Sequence, residues 1–151
     1  MIRLSPRISI ISGPVGSGKT TRLIQWLDNT PAFGFISPIK NQLRILQNVA
    51  DRKSITFETL SEENTITVGR YHFDPTAFGI AASWLEAALD KPSPLIVIDE
   101  IGKLEINKQG FDPYLWPFFE KARQKTDIHL MIIIRDYLLQ SVIDRYKLNT
   151  F

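Results

Sequence analysis

A glycine-rich stretch near the start of the chain constrains the fold more than any other feature. The segment GPVGSGKTT begins at Gly13, one residue after the isoleucine-rich run Ile8–Ile11. Its spacing, Gly-x-x-x-x-Gly-Lys-Thr, fits the Walker A pattern, which needs a strand before it and a helix after it. β-Branched residues precede the segment, and Leu23, Ile24 and Leu27 follow it at helical spacing. An ordinary tight turn is the alternative, but pattern and context together favour a phosphate-binding loop.

The chemistry of phosphate binding gives the loop residues their expected roles. Successive backbone N–H groups can surround a phosphate chain, glycines allow the backbone angles this needs, and the following helix N-terminus favours anions. Lys19 is expected to contact the β- and γ-phosphates and Thr20 to ligate Mg²⁺. Thr21 either touches the α-phosphate or is an ordinary helix residue. The predicted nucleotide-binding residues of this segment are Gly13, Pro14, Val15, Gly16, Ser17, Gly18, Lys19, Thr20 and Thr21.

The apolar run LIVIDE, residues 95–100, ends in two carboxylates. Asp99 fits the Walker B position, where a carboxylate holds Mg²⁺, so Thr20 and Asp99 are the predicted metal ligands. Glu100 follows directly and is predicted to activate the attacking water as a general base. The alternative is that the two acids merely end a strand. A glutamate in this position is typical of P-loop proteins that activate water, which favours hydrolysis over phosphoryl transfer to a second substrate.

Cations near the γ-phosphoryl group are needed to stabilise the charge of the transition state. Arg135 follows the apolar run IHLMIII and is expected at the same edge of the sheet, so it joins Glu100 and Lys19 as a predicted catalytic residue. Lys103, Arg44 and Arg70 are further candidates. For each of these four side chains, a solvated surface charge is the alternative.

Strands that alternate with helices predict an α/β fold, a P-loop NTPase-type three-layer sandwich whose central sheet is mainly parallel. Residues 1–151 are interpreted as a single P-loop domain, with short alternating segments at 41–73 that predict an inserted antiparallel hairpin region. Asp74 and Asp112, each followed by proline, are expected to cap two helices. Pro117 should kink the second of these helices or delay its beginning.

Composition excludes several kinds of function. The 151 residues carry a net charge of +2 and no cysteine, so disulfides, thiol catalysis and cysteine-ligated metals are ruled out. Charges of both signs are mixed along the chain and give no electrostatic case for nucleic acid or an anionic membrane. No signal pattern and no apolar run of membrane length is present, so a cytoplasmic location is expected.

Two motifs of the sequence together resemble those of a known protein family. GPVGSGKTT together with VIDEIGKLE resembles the small P-loop nucleoside-triphosphatase family of archaeal and bacterial thermophiles, whose vertebrate relative is called cancer-related nucleoside triphosphatase. GFISP and MIIIRDYLLQSVIDRY are similar to later segments of that family. The resemblance implies Mg²⁺-dependent hydrolysis of ATP, GTP and other nucleoside triphosphates to diphosphates and phosphate, with loose base preference. It places the nucleotide at Gly13–Thr20 and at Ile98, Asp99, Glu100, Ile101, Gly102 and Lys103.

Two departures from the family pattern leave alternatives open. The chain reads SPIKNQLR where family members carry Thr-x-Glu-[Val/Ile]-Arg, so Arg44 either supplies that arginine or the arginine is missing. The chain stops at Phe151, and YKLNTF is expected to form only a short final strand. These departures would lead either to weaker activity or to a sheet edge that another copy of the chain or a protein partner completes. There are two alternative functions. One is a small-molecule or nucleotide kinase, and the other is a nucleotide-dependent switch that uses residues 41–73 for docking.

Overall fold

A mixed β-sheet forms the centre of the molecule. The computed structural model describes residues 1–14 and 16–151. Within these residues the central sheet contains β1 (Ile2–Ser5), β2 (Ile8–Gly13), β3 (Phe33–Ile36), β4 (Ile39–Lys40), β5 (Leu43–Asn48), β6 (Ser54–Thr56), β10 (Leu95–Ile101) and β11 (His129–Arg135). A small antiparallel sheet contains β7 (Glu58–Thr59), β8 (Ile66–Val68) and β9 (Tyr71–Phe73).

The strand order sets which residues share an edge of the sheet. The order is β1-β2-β11-β10-β3-β5-β4, with β6 paired to β5. Strands β2, β11, β10 and β3 are parallel, whereas β1 and β5 run antiparallel to their neighbours. The predicted α/β fold with a parallel core is confirmed. Strand β11 lies between the strand that enters the glycine-rich loop and the strand that carries the two carboxylates.

Helices cover both faces of the parallel core. In the described residues these are α1 (Lys19–Leu27), α2 (Pro75–Ala88), α3 (Lys103–Ile106), α4 (Asp112–Arg123) and α5 (Leu139–Tyr146), with 3-10 turns at Asp136–Leu138 and Leu148–Thr150. Because side chains alternate along a strand, Val97 packs on one face with Leu23 of α1. Ile96 and Ile98 pack on the other face, in the cluster that α2, α4 and α5 cover.

The two proline-preceded acids behave differently. Asp74 caps α2 as predicted, and its Oδ1 accepts from the Thr76 N–H at 2.9 Å. Asp112 does not cap α4, because its carboxylate is buried and accepts from the Arg145 guanidinium at 2.8 and 2.7 Å and from the Tyr146 hydroxyl at 2.5 Å. The two bonds from one guanidinium form a bidentate pair, which adds both energy and geometric specificity. The capping prediction for Asp112 is therefore wrong.

Other local predictions also differ from the structure. Helix α4 begins at Asp112 and contains Pro117, so its beginning is not delayed. YKLNTF forms the 3-10 turn Leu148–Thr150 rather than a strand, and Leu148 is buried in the core. Residues 43–56 extend the central sheet while residues 58–73 build the small sheet; the description of 41–73 as an insertion stays a prediction. No helix in the described part of the chain is long and apolar enough to cross a membrane.

Candidate active site

The glycine-rich loop connects β2 to α1 through a conformation that needs glycine. Gly16 and Gly18 have φ angles of 77° and 79°, a left-handed backbone in which glycine avoids the steric penalty of a Cβ. Gly13 is close-packed instead, since a Cβ there would lie 2.9 Å from Ser17 Oγ. Val15 lies outside the described residues. The loop therefore turns sharply into the N-terminus of α1, where unpaired backbone N–H groups favour an anion.

Lys19, the first residue of α1, lies over the loop rather than in solvent. Its side chain is buried, and its Nζ donates to the carbonyl oxygens of Gly13 at 2.8 Å and Pro14 at 2.9 Å. The ammonium group is thus held close to the loop backbone. A positive charge in this place adds to the helix N-terminus in attracting phosphate.

Asp99 and Thr20 meet at the carboxyl edge of the sheet. The Thr20 hydroxyl donates to Asp99 Oδ2 at 2.9 Å, and the Ser37 N–H, just beyond β3, donates to the same oxygen at 3.1 Å. Asp99 is only 1% exposed. Burial raises the pKa of Asp99 to about 6, against the opposing effect of the Ser37 hydrogen bond. A nearby cation would favour the charged carboxylate.

Glu100 is turned away from the core by a bulge at the end of β10. Asp99 pairs with Ile133 and Ile101 with Ile134, so the register shifts around Glu100, and bulges commonly redirect a side chain at a site. Its Oε1 accepts from Arg135 Nε at 3.0 Å, with the two side chains 27% and 33% exposed. Burial tends to lower the pKa of Arg135, but the Glu100 carboxylate contributes to a net rise.

A cavity of about 320 Å³, the phosphate cavity, joins these groups. Its lining includes residues 16–21 together with Arg44, Glu100 and Arg135. Arg44 is the second residue of β5, and its Nη1 donates to the Ser37 carbonyl oxygen at 2.6 Å. The structure therefore brings Lys19, Thr20, Glu100 and the two arginines around a single cavity.

The remaining predicted residues lie in different surroundings. The Ile98 and Ile101 side chains are fully buried in the core, and Gly102 occupies the N-cap position directly before α3. Lys103 Nζ lies 5.9 Å from the centre of the Tyr137 ring. Arg70 is exposed and donates to the Tyr71 hydroxyl at 3.1 Å, outside the described lining of the phosphate cavity.

Two residues near the site were not predicted from the sequence. The Ser37 N–H contacts Asp99, and the only local signal is a polar residue directly after a parallel strand. Glu105 is buried, and its Oε1 accepts from the Gly102 N–H at 3.3 Å. Burial raises the pKa of Glu105 to about 8. No sequence signal separates such a buried glutamate from a surface one on a four-residue helix.

Comparison with protein families decides what kind of P-loop protein this is. A family model described as NTPase (NTPase_1) matches residues 8–146, almost the whole chain. The chain belongs to this NTPase family. It is therefore a nucleoside-triphosphatase, and the family implies a nucleoside triphosphate as its substrate.

A solved structure supports the fold of this NTPase. The crystal structure of THEP1 from the hyperthermophile Aquifex aeolicus is similar, with a TM-score of 0.69 and 21% sequence identity. The similarity covers 93% of this chain and 83% of that chain. At this identity it shows a common fold. No curated protein matches the sequence significantly.

Proposed function

We propose that this NTPase hydrolyses nucleoside 5′-triphosphates to diphosphates and phosphate, with Mg²⁺ as cofactor and little preference for the base. The observation that carries the proposal is the position of Glu100. Glu100 lines the same cavity as Lys19, and its Oε1 is held 3.0 Å from Arg135 Nε. A carboxylate and a guanidinium at the end of a phosphate site can activate water and stabilise the charge that develops.

The triphosphate would bind with its β-phosphate against the backbone N–H groups of the loop and the N-terminus of α1. Lys19 would exchange its bonds to the carbonyl oxygens of Gly13 and Pro14 for bonds to phosphate oxygens. Thr21 is exposed and also lines the phosphate cavity. We assign the γ-phosphate to the side of Glu100 and Arg135, because a base and a guanidinium are needed at the reacting phosphorus, and the α-phosphate to the side of Thr21.

The donor set at the sheet edge fits Mg²⁺. A hydroxyl and a carboxylate, Thr20 and Asp99, lie 2.9 Å apart, and hard oxygen ligands suit this cation. No cluster of three or more acidic, histidine or cysteine residues that could hold a metal occurs among residues 1–14 and 16–151. A full protein cage is unnecessary, because Mg²⁺ usually binds one or two protein ligands together with phosphates and water. The cation would neutralise charge on the β- and γ-phosphates.

Hydrolysis then follows from the placement of the side chains. Water attacks the γ-phosphorus while Glu100 accepts a proton from it, and the bond between the γ-phosphorus and the bridging oxygen breaks to release the diphosphate. Arg135 uses Nε to hold Glu100 and has further N–H donors for the γ-phosphoryl oxygens. Because Glu100 and Arg135 belong to one chain, this proposal needs no arginine from another copy or a partner.

The test is phosphate release from ATP, GTP, CTP and UTP with and without Mg²⁺. Glu100→Gln should lower kcat by about 10²–10⁴-fold, and Lys19→Ala should abolish nucleotide binding or turnover. Glu63→Gln and Lys53→Ala, at exposed positions, are the matched controls and should keep wild-type rates. Unchanged turnover in Glu100→Gln would refute Glu100 as the base. Tight nucleotide binding without release in the wild type would favour the switch, and release from one nucleotide alone would refute the loose base preference.

A further inference from the structure

A second cavity, the aromatic cavity, lies beside the phosphate cavity. Its volume is about 230 Å³, and its apolar walls include Phe57, Phe73, Phe78, Phe111, Val68 and Leu104. The rings form a connected set, with centroid distances of 4.6 Å between Phe57 and Phe73 and 4.7 Å between Phe78 and Phe111. Concave apolar sites with a few polar groups are the usual form of small-molecule sites.

The aromatic cavity shares its polar end with the phosphate cavity. Arg44, Glu100 and Arg135 line both spaces. In the proposed binding mode the γ-phosphate points toward these residues and away from Thr21. The aromatic cavity therefore borders the proposed position of the γ-phosphate, next to Glu100, the group proposed to accept the proton of the nucleophile.

Buried polar atoms at the aromatic cavity are left without partners. Ser37 and Glu105 both line it and are each 4% exposed. Within the described part of the chain, Ser37 Oγ and Glu105 Oε2 make no hydrogen bond. Buried polar atoms are nearly always satisfied, and a hydroxyl or N–H group of a ligand would explain these exceptions.

We propose that the aromatic cavity is an acceptor site for a small aromatic or heterocyclic compound that carries a hydroxyl group. The proposal rests on the hydrolytic function proposed above, since it uses the same triphosphate and the same Glu100. The ring would pack among the phenylalanines, and its hydroxyl would lie at the polar end in the place of the attacking water. The enzyme would then transfer the γ-phosphoryl group as well as hydrolyse.

The atoms and charges of this phosphoryl transfer balance without any further reactant. The hydroxyl oxygen of the acceptor forms a bond to the γ-phosphorus, and Glu100 accepts the hydroxyl proton. The bond between the γ-phosphorus and the oxygen that bridges it to the β-phosphate breaks, and the electron pair leaves with the nucleoside diphosphate. The products are a phosphate monoester, the diphosphate and one proton.

The probes are para-fluorobenzyl alcohol and para-fluorotoluene, which share a ring but differ in the nucleophile. Binding is followed by ¹⁹F NMR on the full chain, and ADP, phosphate and ester are quantified with Mg²⁺ and ATP. Both probes should bind. The alcohol should raise the ratio of ADP to phosphate above one and yield para-fluorobenzyl phosphate, whereas para-fluorotoluene should leave the ratio at one.

Val68→Trp and Thr67→Trp form a matched pair of variants. Val68 lines the aromatic cavity, and its neighbour Thr67 is exposed on the same strand. Val68→Trp should weaken binding of both probes about tenfold or more, because it fills the cavity, and should return the ratio to one. Thr67→Trp should behave as wild type. Both variants should keep the far-UV circular dichroism spectrum and the Tm of the wild type, which shows that they fold.

The outcomes separate the two proposals. Failure of para-fluorobenzyl alcohol to bind, or binding that Val68→Trp does not weaken, would overturn the site. Binding without ester would overturn the acceptor role. If ADP and phosphate do not form without a probe, the hydrolytic proposal fails; if they form normally and the alcohol changes nothing, the acceptor proposal alone fails.

Discussion

The buried carboxyl group of Glu105 should make the protein less stable as the pH rises. Burial raises the pKa of Glu105 from an ordinary value of 4.5 to about 8, and the carboxylates of Glu100 and Asp112 add to the rise. Below pH 4.5 the group is protonated in both states. Between pH 4.5 and about 8 the unfolded chain releases the proton while the folded chain keeps it. The free energy of unfolding should fall over this range by about 1.4 kcal/mol per pH unit.

At neutral pH this loss is a substantial fraction of the unfolding free energy of a typical domain. The loss amounts to roughly 3 kcal/mol at pH 7, of a typical total of about 5–15 kcal/mol. Glu105→Gln keeps the shape of the side chain and removes its charge. We expect the variant to exceed the wild type in unfolding free energy by roughly 2–3 kcal/mol at pH 7 and to match it near pH 4.

Urea unfolding followed by tryptophan fluorescence, repeated over a pH series, measures the difference directly. The pKa of Asp99 is also raised by burial, to about 6, but its contribution is common to both proteins and cancels. Glu63→Gln, at an exposed position, is the control and should follow the wild type at every pH. If the gap between Glu105→Gln and the wild type does not widen between pH 5 and 8, Glu105 is ionised in the native state and the argument from burial is wrong.

Three further changes test the fold and the site. Asp112→Ala removes the acceptor of the partly buried Arg145 guanidinium. The free energy of unfolding in urea should fall by roughly 2–4 kcal/mol. A loss of less than about 1 kcal/mol, which is typical of an exposed ion pair, would contradict the burial of this pair. Gly34→Ala places a Cβ 2.1 Å from the Val97 carbonyl oxygen and should abolish cooperative thermal unfolding by circular dichroism, whereas a near-wild-type Tm would contradict this close approach. Arg135→Ala should lower kcat about 10²-fold and Arg135→Lys less; full activity in Arg135→Ala would exclude the guanidinium from catalysis.

The elements that the sequence predicts well are those with a strong local pattern. The loop before α1 and the apolar strands β10 and β11 have such patterns, and the structure forms all of them. The short elements β1 and α3 were not predicted, because four residues are too few for hydrophobic periodicity to show. Strand β1 exists through its antiparallel pairing with β2, a tertiary contact rather than a local preference.

Side-chain partners were harder to predict than elements. Asp112 satisfies the sequence rule for a cap as well as Asp74 does, yet it pairs with Arg145, which lies 33 positions further along the chain. A rule based on neighbouring residues cannot predict a competing hydrogen-bond partner that only the tertiary fold brings into contact. The same limit applies to Glu105, whose burial depends on the packing around α3.

The site residues nevertheless follow one topological rule. Ligands of open α/β sheets bind at the carboxyl ends of the parallel strands, and Gly13, Ser37, Glu100 and Arg135 each lie at or just beyond such an end. The rule needs one extension here. Strand β5 runs antiparallel to β3, so the beginning of β5, not its end, lies at the ligand edge, and Arg44 enters the site from there. A polar residue that opens an antiparallel neighbour is therefore as good a candidate as one that closes a parallel strand.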